Sequence, residues 1–247
     1  MSVGSEEDLK GLRRAGHVVA QALQAMRDAV REGITTAELD DIAARVLREH
    51  GARSAPQMLY NFPGTACISV NDEAVHGVPG SRQLRTGDLV TLDVTVEMEG
   101  YYADAAVTVG VPPISDVAQR LMGCAEAAFW RAAKAARAGE RLSEIGGKVE
   151  PEVDRHGFKV FRDLCGHGIG RGIHEEPSVC NYYDPRERTR LTAGLVIALE
   201  PIISAGASYT RTEADGWTLS STDGSLTAHY EHTIVVTRGQ PILLTAA

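Results

Sequence analysis

The chain has 247 residues, 43% hydrophobic and 23% charged, with a formal net charge of −8, the make-up of a soluble globular protein of one large domain or two small ones. The acidic balance excludes non-specific binding to nucleic acid, which needs a basic face, and argues equally against an anionic membrane surface. No apolar run approaches the length of a membrane span, and the acidic opening MSVGSEEDLK is not a signal peptide. The cysteines Cys67, Cys124, Cys165 and Cys180 form no CxxC pair and read as reduced thiols, which places the protein in the cytoplasm.

Ser5-Glu6-Glu7-Asp8 resembles a capping box, and Leu9, Leu12, Val19, Leu23, Met26 and Val30 then recur at helical spacing up to Gly33. Thr35-Thr36-Ala37-Glu38 opens a second helix, which Gly51 stops. A loop containing Pro56 and Pro63 follows, then a short strand from Ala66 to Val70 and a turn at Asn71-Asp72. His76-Gly77-Val78-Pro79 leads into LRTGDLVTLDVTVEMEGYYAD, from Leu84 to Asp104, which reads as a hairpin turning near Glu99-Gly100.

Past Pro112-Pro113, Ser115 caps a third helix to about Arg137. Ser143 opens a fourth, ending at Gly157, which Pro151 should kink or divide. A strand near Lys159 to Cys165 runs into the glycine-rich segment Gly166 to Gly172. The last strands span Leu195 to Leu199, ending on Glu200, and Tyr230 to Val236, with Glu231 near its start.

The chain repeats itself. Arg31-Glu32-Gly33 has a counterpart in Arg137-Ala138-Gly139, and His50-Gly51 in His156-Gly157. His76-x-x-Pro79 is answered by His174-x-x-Pro177. Leu84-x-x-Gly87 running into Leu92-Asp93 is answered by Leu191-x-x-Gly194 running into Leu199-Glu200. Each half, about 6–110 and 115–238, is two helices, a histidine, an apolar strand ending on a carboxylate, and a second carboxylate further on. Two such halves around an approximate two-fold axis bring four carboxylates together.

Asp93 follows directly on Leu89-Val90-Thr91-Leu92, where a carboxylate is out of place unless something binds it. If the turn lies between Met98 and Gly100, Asp104 faces it across the hairpin, directly or on the diagonal. Like charges opposed on a sheet repel, and buried carboxylates are costly unless a cation neutralises them. Asp93, Asp104, Glu200 and Glu231 with one histidine make an oxygen-rich, sulfur-poor set suited to Mn, Fe, Co or Zn in a two-metal arrangement, the chemistry of metal-assisted hydrolysis. The glycine-rich segment lacks the Lys-Ser/Thr and the helix of a P-loop and misses the GxGxxG spacing, so it does not read as a nucleotide site. His167 and His174 there fit one metal ligand and one substrate-facing imidazole.

Five segments carry a family resemblance: NDEAVHGVP (Asn71 to Pro79), GDLVTLDVT (Gly87 to Thr95), CGHGIGRGIHEEP (Cys165 to Pro177), Leu199-Glu200-Pro201, and YEHTIVV (Tyr230 to Val236). Together, over about Glu6 to Thr237, the chain resembles a type I methionine aminopeptidase. The resemblance implies an α+β, pita-bread fold: two pseudo-symmetric αβ halves with a curved antiparallel sheet covered by helices, in a single catalytic domain over 1–247. It implies two divalent metal ions held by Asp93, Asp104, His167, Glu200 and Glu231. It implies substrate contacts from His76 and His174, and Glu200 as general base and then acid for a metal-activated water. Phe62, Cys67 and Trp217 match positions of the methionine pocket. Leu59 and Ile173 stand where relatives commonly have rings, so that pocket is expected to be less aromatic.

The implied substrates are N-termini of nascent polypeptides with a small second residue, met at the ribosome, by a cytoplasmic monomer. A prolidase or Xaa-Pro aminopeptidase shares the fold and the metals but resembles this chain with an extra N-terminal domain, for which the early first repeat leaves no room. Type II methionine aminopeptidases carry a long insertion that the short stretch from Glu200 to Glu231 does not accommodate. A binding protein of the same fold that had lost its ligands would not keep all five ligand positions.

Overall fold

The computed structural model describes residues 1–246. The first half comprises α1 (Glu6–Ala29), α2 (Thr36–Glu49), β1 (Arg53–Ser54), α3 (Ala55–Tyr60), β2 (Cys67–Val70), β3 (Glu73–Val75), β4 (Leu89–Met98) and β5 (Tyr101–Gly110). The second comprises α4 (Asp116–Ala135), α5 (Ser143–Arg155), β6 (Lys159–Val160), β7 (Cys165–Gly168), β8 (Glu175–Cys180), β9 (Val196–Leu199), β10 (Ile202–Ser204), β11 (Thr210–Thr212), β12 (Leu219–Ser221), β13 (Thr227–His229), β14 (His232–Val235) and β15 (Ile242–Leu243). No helix among the described residues is long and apolar enough to cross a membrane.

The helices start where side chains satisfy their free N–H groups. Ser5 accepts from the backbone of Asp8, and Ser115 caps α4 through Ala118. Thr35 and Glu38 form a reciprocal capping box. Leu12, Val19, Leu23 and Met26 of α1 then bury against β4 and β5, with Leu39 and Leu47 of α2 in the same core. Leu121, Ala125 and Phe129 of α4 and Ile145, Val149 and Val153 of α5 form the second core with Ile197 and Leu199 of β9.

The sequence repeat is a repeat of backbone geometry. Gly33 and Gly139 both have positive φ (84° and 96°), and their N–H groups donate to Leu84 and Leu191 at the same 2.8 Å. Gly87 and Gly194 (φ 94° and 88°) likewise donate to Val111 and Val236 at 2.8 Å. His50 and His156 each close a helix just before a positive-φ glycine. Positive φ is where glycine is favoured, which is why these positions match between the halves.

All the sheets are antiparallel. β4 pairs with β5 on one side and with β1 and β2 on the other, while β15, β14, β9, β7 and β8 form a five-stranded sheet. The halves meet where β5 passes the Tyr230–Val235 stretch. Glu231 donates its N–H to Ala106 at 2.9 Å, and Thr233 both accepts from the Asp104 N–H and donates to its carbonyl, at 2.9 and 2.8 Å. This seam sets Asp104 beside Glu231.

Four expectations are corrected. Pro151 does not divide α5, which runs unbroken from Ser143 to Arg155. A proline in a helix interior costs about 3 kcal/mol, and burial of Ile145, Val149 and Val153 against α4, roughly 1.5–3 kcal/mol each, outweighs it. The stretch around Pro56 is not all loop: Ser54 caps the short α3, with Pro56 in its first turn, and Asn61 ends it at φ 58°. The strand expected from Lys159 to Cys165 is only Lys159–Val160, and the glycine-rich segment itself begins as β7. Gly166 and Gly168 are glycines there because a Cβ would stand 2.5 Å from the Ala198 carbonyl oxygen and 2.2 Å from that of Glu176. Finally, the strand expected from Tyr230 to Val236 is shorter, His232–Val235, so Glu231 lies immediately before it.

Candidate metal centre

The β4–β5 hairpin turns through Glu99 and Gly100, both at positive φ (52° and 80°), as a two-residue hairpin turn requires. That turn fixes the register: Asp93 opposes Ala106, and Asp104 opposes Thr95. The two aspartates are therefore diagonal neighbours on one face, and Thr95 donates its hydroxyl to Asp104 Oδ2 at 2.8 Å. His167 projects from β7, which pairs with β9 so that His167 opposes Ala198. Glu200 follows β9 directly. Its Oε1 stands 3.4 Å from His167 Nε2, and its carbonyl accepts from the Asn181 amide at 2.9 Å.

The ten residues assigned to the metals, the substrate contacts and the matching pocket positions line one cavity of about 280 Å³: Phe62, Cys67, His76, Asp93, Asp104, His167, His174, Glu200, Trp217 and Glu231. Within it, Asp104, His167 and Glu231 each present a ligand atom, all within 4.8 Å of one another. Asp93 and Glu200 line the same cavity without joining that tight trio. Ile173 is in the wall, but Leu59 is not. Leu59 is 45% exposed, and its neighbour Tyr60 takes the place in the cavity lining. The cavity therefore keeps a ring that the sequence reading withheld from it. The Leu59 assignment came from the family resemblance, whereas Tyr60, the last residue of α3, is the one that reaches the cavity.

Among the described residues, Asp104 Oδ1, Glu200 Oε1 and Glu231 Oε1 are buried without a hydrogen-bond partner. Burial, followed by the charges of the neighbouring carboxylates, pushes Asp93, Glu200 and Glu231 well above the ordinary carboxylate range. Several buried carboxylates with orphaned oxygens are stable as anions only if a cation sits among them. The residues present thus fit divalent cations: hard oxygen donors, one imidazole, and no thiolate in the trio.

The imidazoles are shifted the other way. Desolvation in the cavity lowers His76, His167 and His174 and so favours their neutral form, although His76 and His174 keep part of their surface in solvent. His167 also faces the Gly168 carbonyl through Nδ1 at 2.9 Å, which leaves Nε2 free to act as a donor atom for a metal. His76 sits at φ 59°, a strained position for a non-glycine residue that turns its ring into the cavity.

Two contacts escaped sequence reasoning. The Tyr60 hydroxyl lies 2.9 Å from His174 Nδ1, with the rings stacked at 5.9 Å between centroids. His229, at the end of β13, is 2% exposed, with Nε2 3.4 Å from Glu231 Oε2 and neither ring nitrogen hydrogen-bonded among the described residues. Burial drives its pKa down to about 3. Its place two residues before Glu231 was the available signal, but a histidine in an apolar strand is by itself an ordinary core residue. At the apolar end, Phe62 and Trp217 meet edge to face at 5.3 Å.

The model of metallopeptidase family M24 matches residues 10–238. The chain is 44% identical over 247 residues to methionine aminopeptidase 2 of Bacillus subtilis, covering 99% of each. The structure of methionine aminopeptidase from Thermotoga maritima superposes with a TM-score of 0.97 over the whole of both chains, at 32% identity. The prolidase of Pyrococcus furiosus shares the fold, with a TM-score of 0.78 at 22% identity, and this chain covers 98% of its own length but 65% of that protein.

Proposed function

The chain belongs to metallopeptidase family M24, and we propose that it removes the N-terminal methionine from polypeptides whose second residue is small. The observation that carries this reading is the set of carboxylates with orphaned oxygens around one cavity that apolar side chains, Phe62 and Trp217 among them, also line. Near-full-length identity to proteins named methionine aminopeptidase supports the choice of substrate.

Asp93, Asp104, His167, Glu200 and Glu231 would hold two divalent ions, drawn from Co, Mn, Fe or Zn. When bound, the ions supply Lewis acidity and lower the pKa of a water, so that a nucleophile is available near neutral pH. Glu200 takes the proton of the attacking water and passes it to the leaving amine, so that peptide and water yield free methionine and a shortened chain. His174, neutral and backed by Tyr60, stabilises the oxyanion that forms at the scissile carbonyl, and His76 holds the scissile amide. The substrate's free α-amine would face the ions, which would confine cutting to the first residue.

Phe62, Cys67, Ile173 and Trp217 receive the methionine side chain, whose unbranched, polarizable thioether gains from ring edges. The substrates are N-termini of nascent chains, met in the cytoplasm at the ribosome, and the enzyme acts as a monomer. Dialysis against a chelator followed by readdition of each metal, with release of methionine from a Met-Ala peptide as the readout, tests the proposal. Activity indifferent to chelation would refute it.

A further inference from the structure

Strands β7 and β8 carry two thiols outside the proposed ligand set. Their register sets Cys165 opposite Cys180, and the ladder stays regular over the next two rungs, slipping only between His167 and Gly168. The two Sγ atoms are 2.8 Å apart. Both residues are half-buried, and Cys165 forms part of the cavity wall. Cys67 and Cys124, by contrast, are buried. Directly opposed residues on antiparallel strands hold their Cβ atoms at about 4.5–5.5 Å, near the 3.5–4.5 Å span of a disulfide, so a bond can close with little backbone movement.

We infer that Cys165 and Cys180 form a modification site in the cavity wall, which takes low-molecular-weight disulfides by thiol–disulfide exchange and closes to an intramolecular disulfide. The two sulfurs divide the work. Cys165 points its S–H at the Cys180 sulfur, so Cys180 is the acceptor of the pair and Cys165 the proton donor. Cys180, once deprotonated, attacks one sulfur of the small disulfide, forming a mixed disulfide and expelling one small thiolate. Cys165 then attacks the Cys180 sulfur, the S–S bond to the small molecule breaks, and the proton of Cys165 leaves with the second small thiol. The protein dithiol is oxidised by two electrons and the small disulfide is reduced to two thiols. The bond formed lies two residues before His167 on the same strand, so it ties β7 to β8 beside the proposed metal centre.

The test is peptide mapping of the metal-loaded protein after incubation with glutathione disulfide. Cleavage after Arg162, Arg171 and Arg186 places the two thiols in separate peptides, residues 163–171 and 172–186, so a Cys165–Cys180 bond appears as a linked pair that reductant separates. The expected result is that pair, with Cys67 and Cys124 unmodified. In Cys165→Ser the reaction should stop at a stable glutathione adduct on Cys180, and in Cys180→Ser the thiol of Cys165 should stay free. Four free thiols after incubation would overturn the assignment. Adducts confined to Cys67 or Cys124, or a Cys180 adduct that never resolves in the unsubstituted protein, would overturn it equally.

Discussion

Asp93 and Asp104 stand on one face of the β4–β5 hairpin, offset by two residues, because the register pairs Asp93 with Ala106 and Asp104 with Thr95. Two carboxylates so placed, Asp104 buried and Asp93 half-buried, repel each other unless a cation lies between them. Asp93→Asn removes one charge and keeps the shape. The expected outcome is a loss of metal affinity of at least roughly 100-fold, beyond the range seen for residues that only support a ligand, with the circular dichroism of the fold unchanged. Full metal content with unaltered turnover would exclude Asp93 from the ligand set.

Glu200 is assigned both a metal and a proton. Replacing it by Gln keeps an oxygen donor and removes the base, so turnover at saturating peptide and metal should fall by about 10²–10⁴, the usual worth of a positioned general base, while KM changes less. Unchanged turnover would remove Glu200 from the proton path.

Metal binding should release protons. Burial, then neighbouring charge, raises the carboxyls of Asp93, Glu200 and Glu231, so the metal-free fold holds protons that the unfolded chain has already lost. Stability of the metal-free protein therefore falls as pH rises above the ordinary carboxylate range of about 4. His76, His167, His174 and His229, lowered mainly by desolvation, act in the opposite direction up to about pH 6.5. Calorimetric titration with metal in buffers of different ionisation enthalpy, above pH 6.5, should show net proton release and affinity that rises with pH. Binding with no proton release would contradict the raised carboxyls.

Tyr60 touches His174, not a metal position. Tyr60→Phe keeps the ring and deletes a hydrogen bond worth about 1 kcal/mol, a roughly fivefold effect. If His174 acts on the oxyanion, the loss should appear in kcat with KM little changed. A rise in KM alone would make Tyr60 a wall of the pocket and nothing more.

Much of this was legible before the fold was known, and for identifiable reasons. Glu200 follows an apolar strand directly and Asp93 interrupts the apolar run of β4, placements that show in one dimension. The positive-φ glycines recur at matching offsets because the backbone demands them in both halves, so the repeat could be read. α3 could not be read in that way: six residues are too few for a helical period. The thiol pair was invisible too, since Cys165 and Cys180 are joined by strand register over 15 residues. His229 was missed because its contact with Thr108 comes from β5, which only the fold brings to it.

The reading as a methionine aminopeptidase rests on the pairing of a metal centre with an apolar first-residue pocket of Phe62, Cys67, Ile173 and Trp217. Comparison of kcat/KM for metal-loaded protein across Met-Ala, norleucine-Ala, Lys-Ala, Met-Leu and Ala-Pro peptides tests both at once. The account predicts Met-Ala as the best substrate. Norleucine-Ala should be cut more slowly, by the 1–3 kcal/mol or so that one apolar contact can discriminate, and Lys-Ala and Met-Leu should be rejected. Preference for Ala-Pro, or equal use of Lys-Ala, would contradict it.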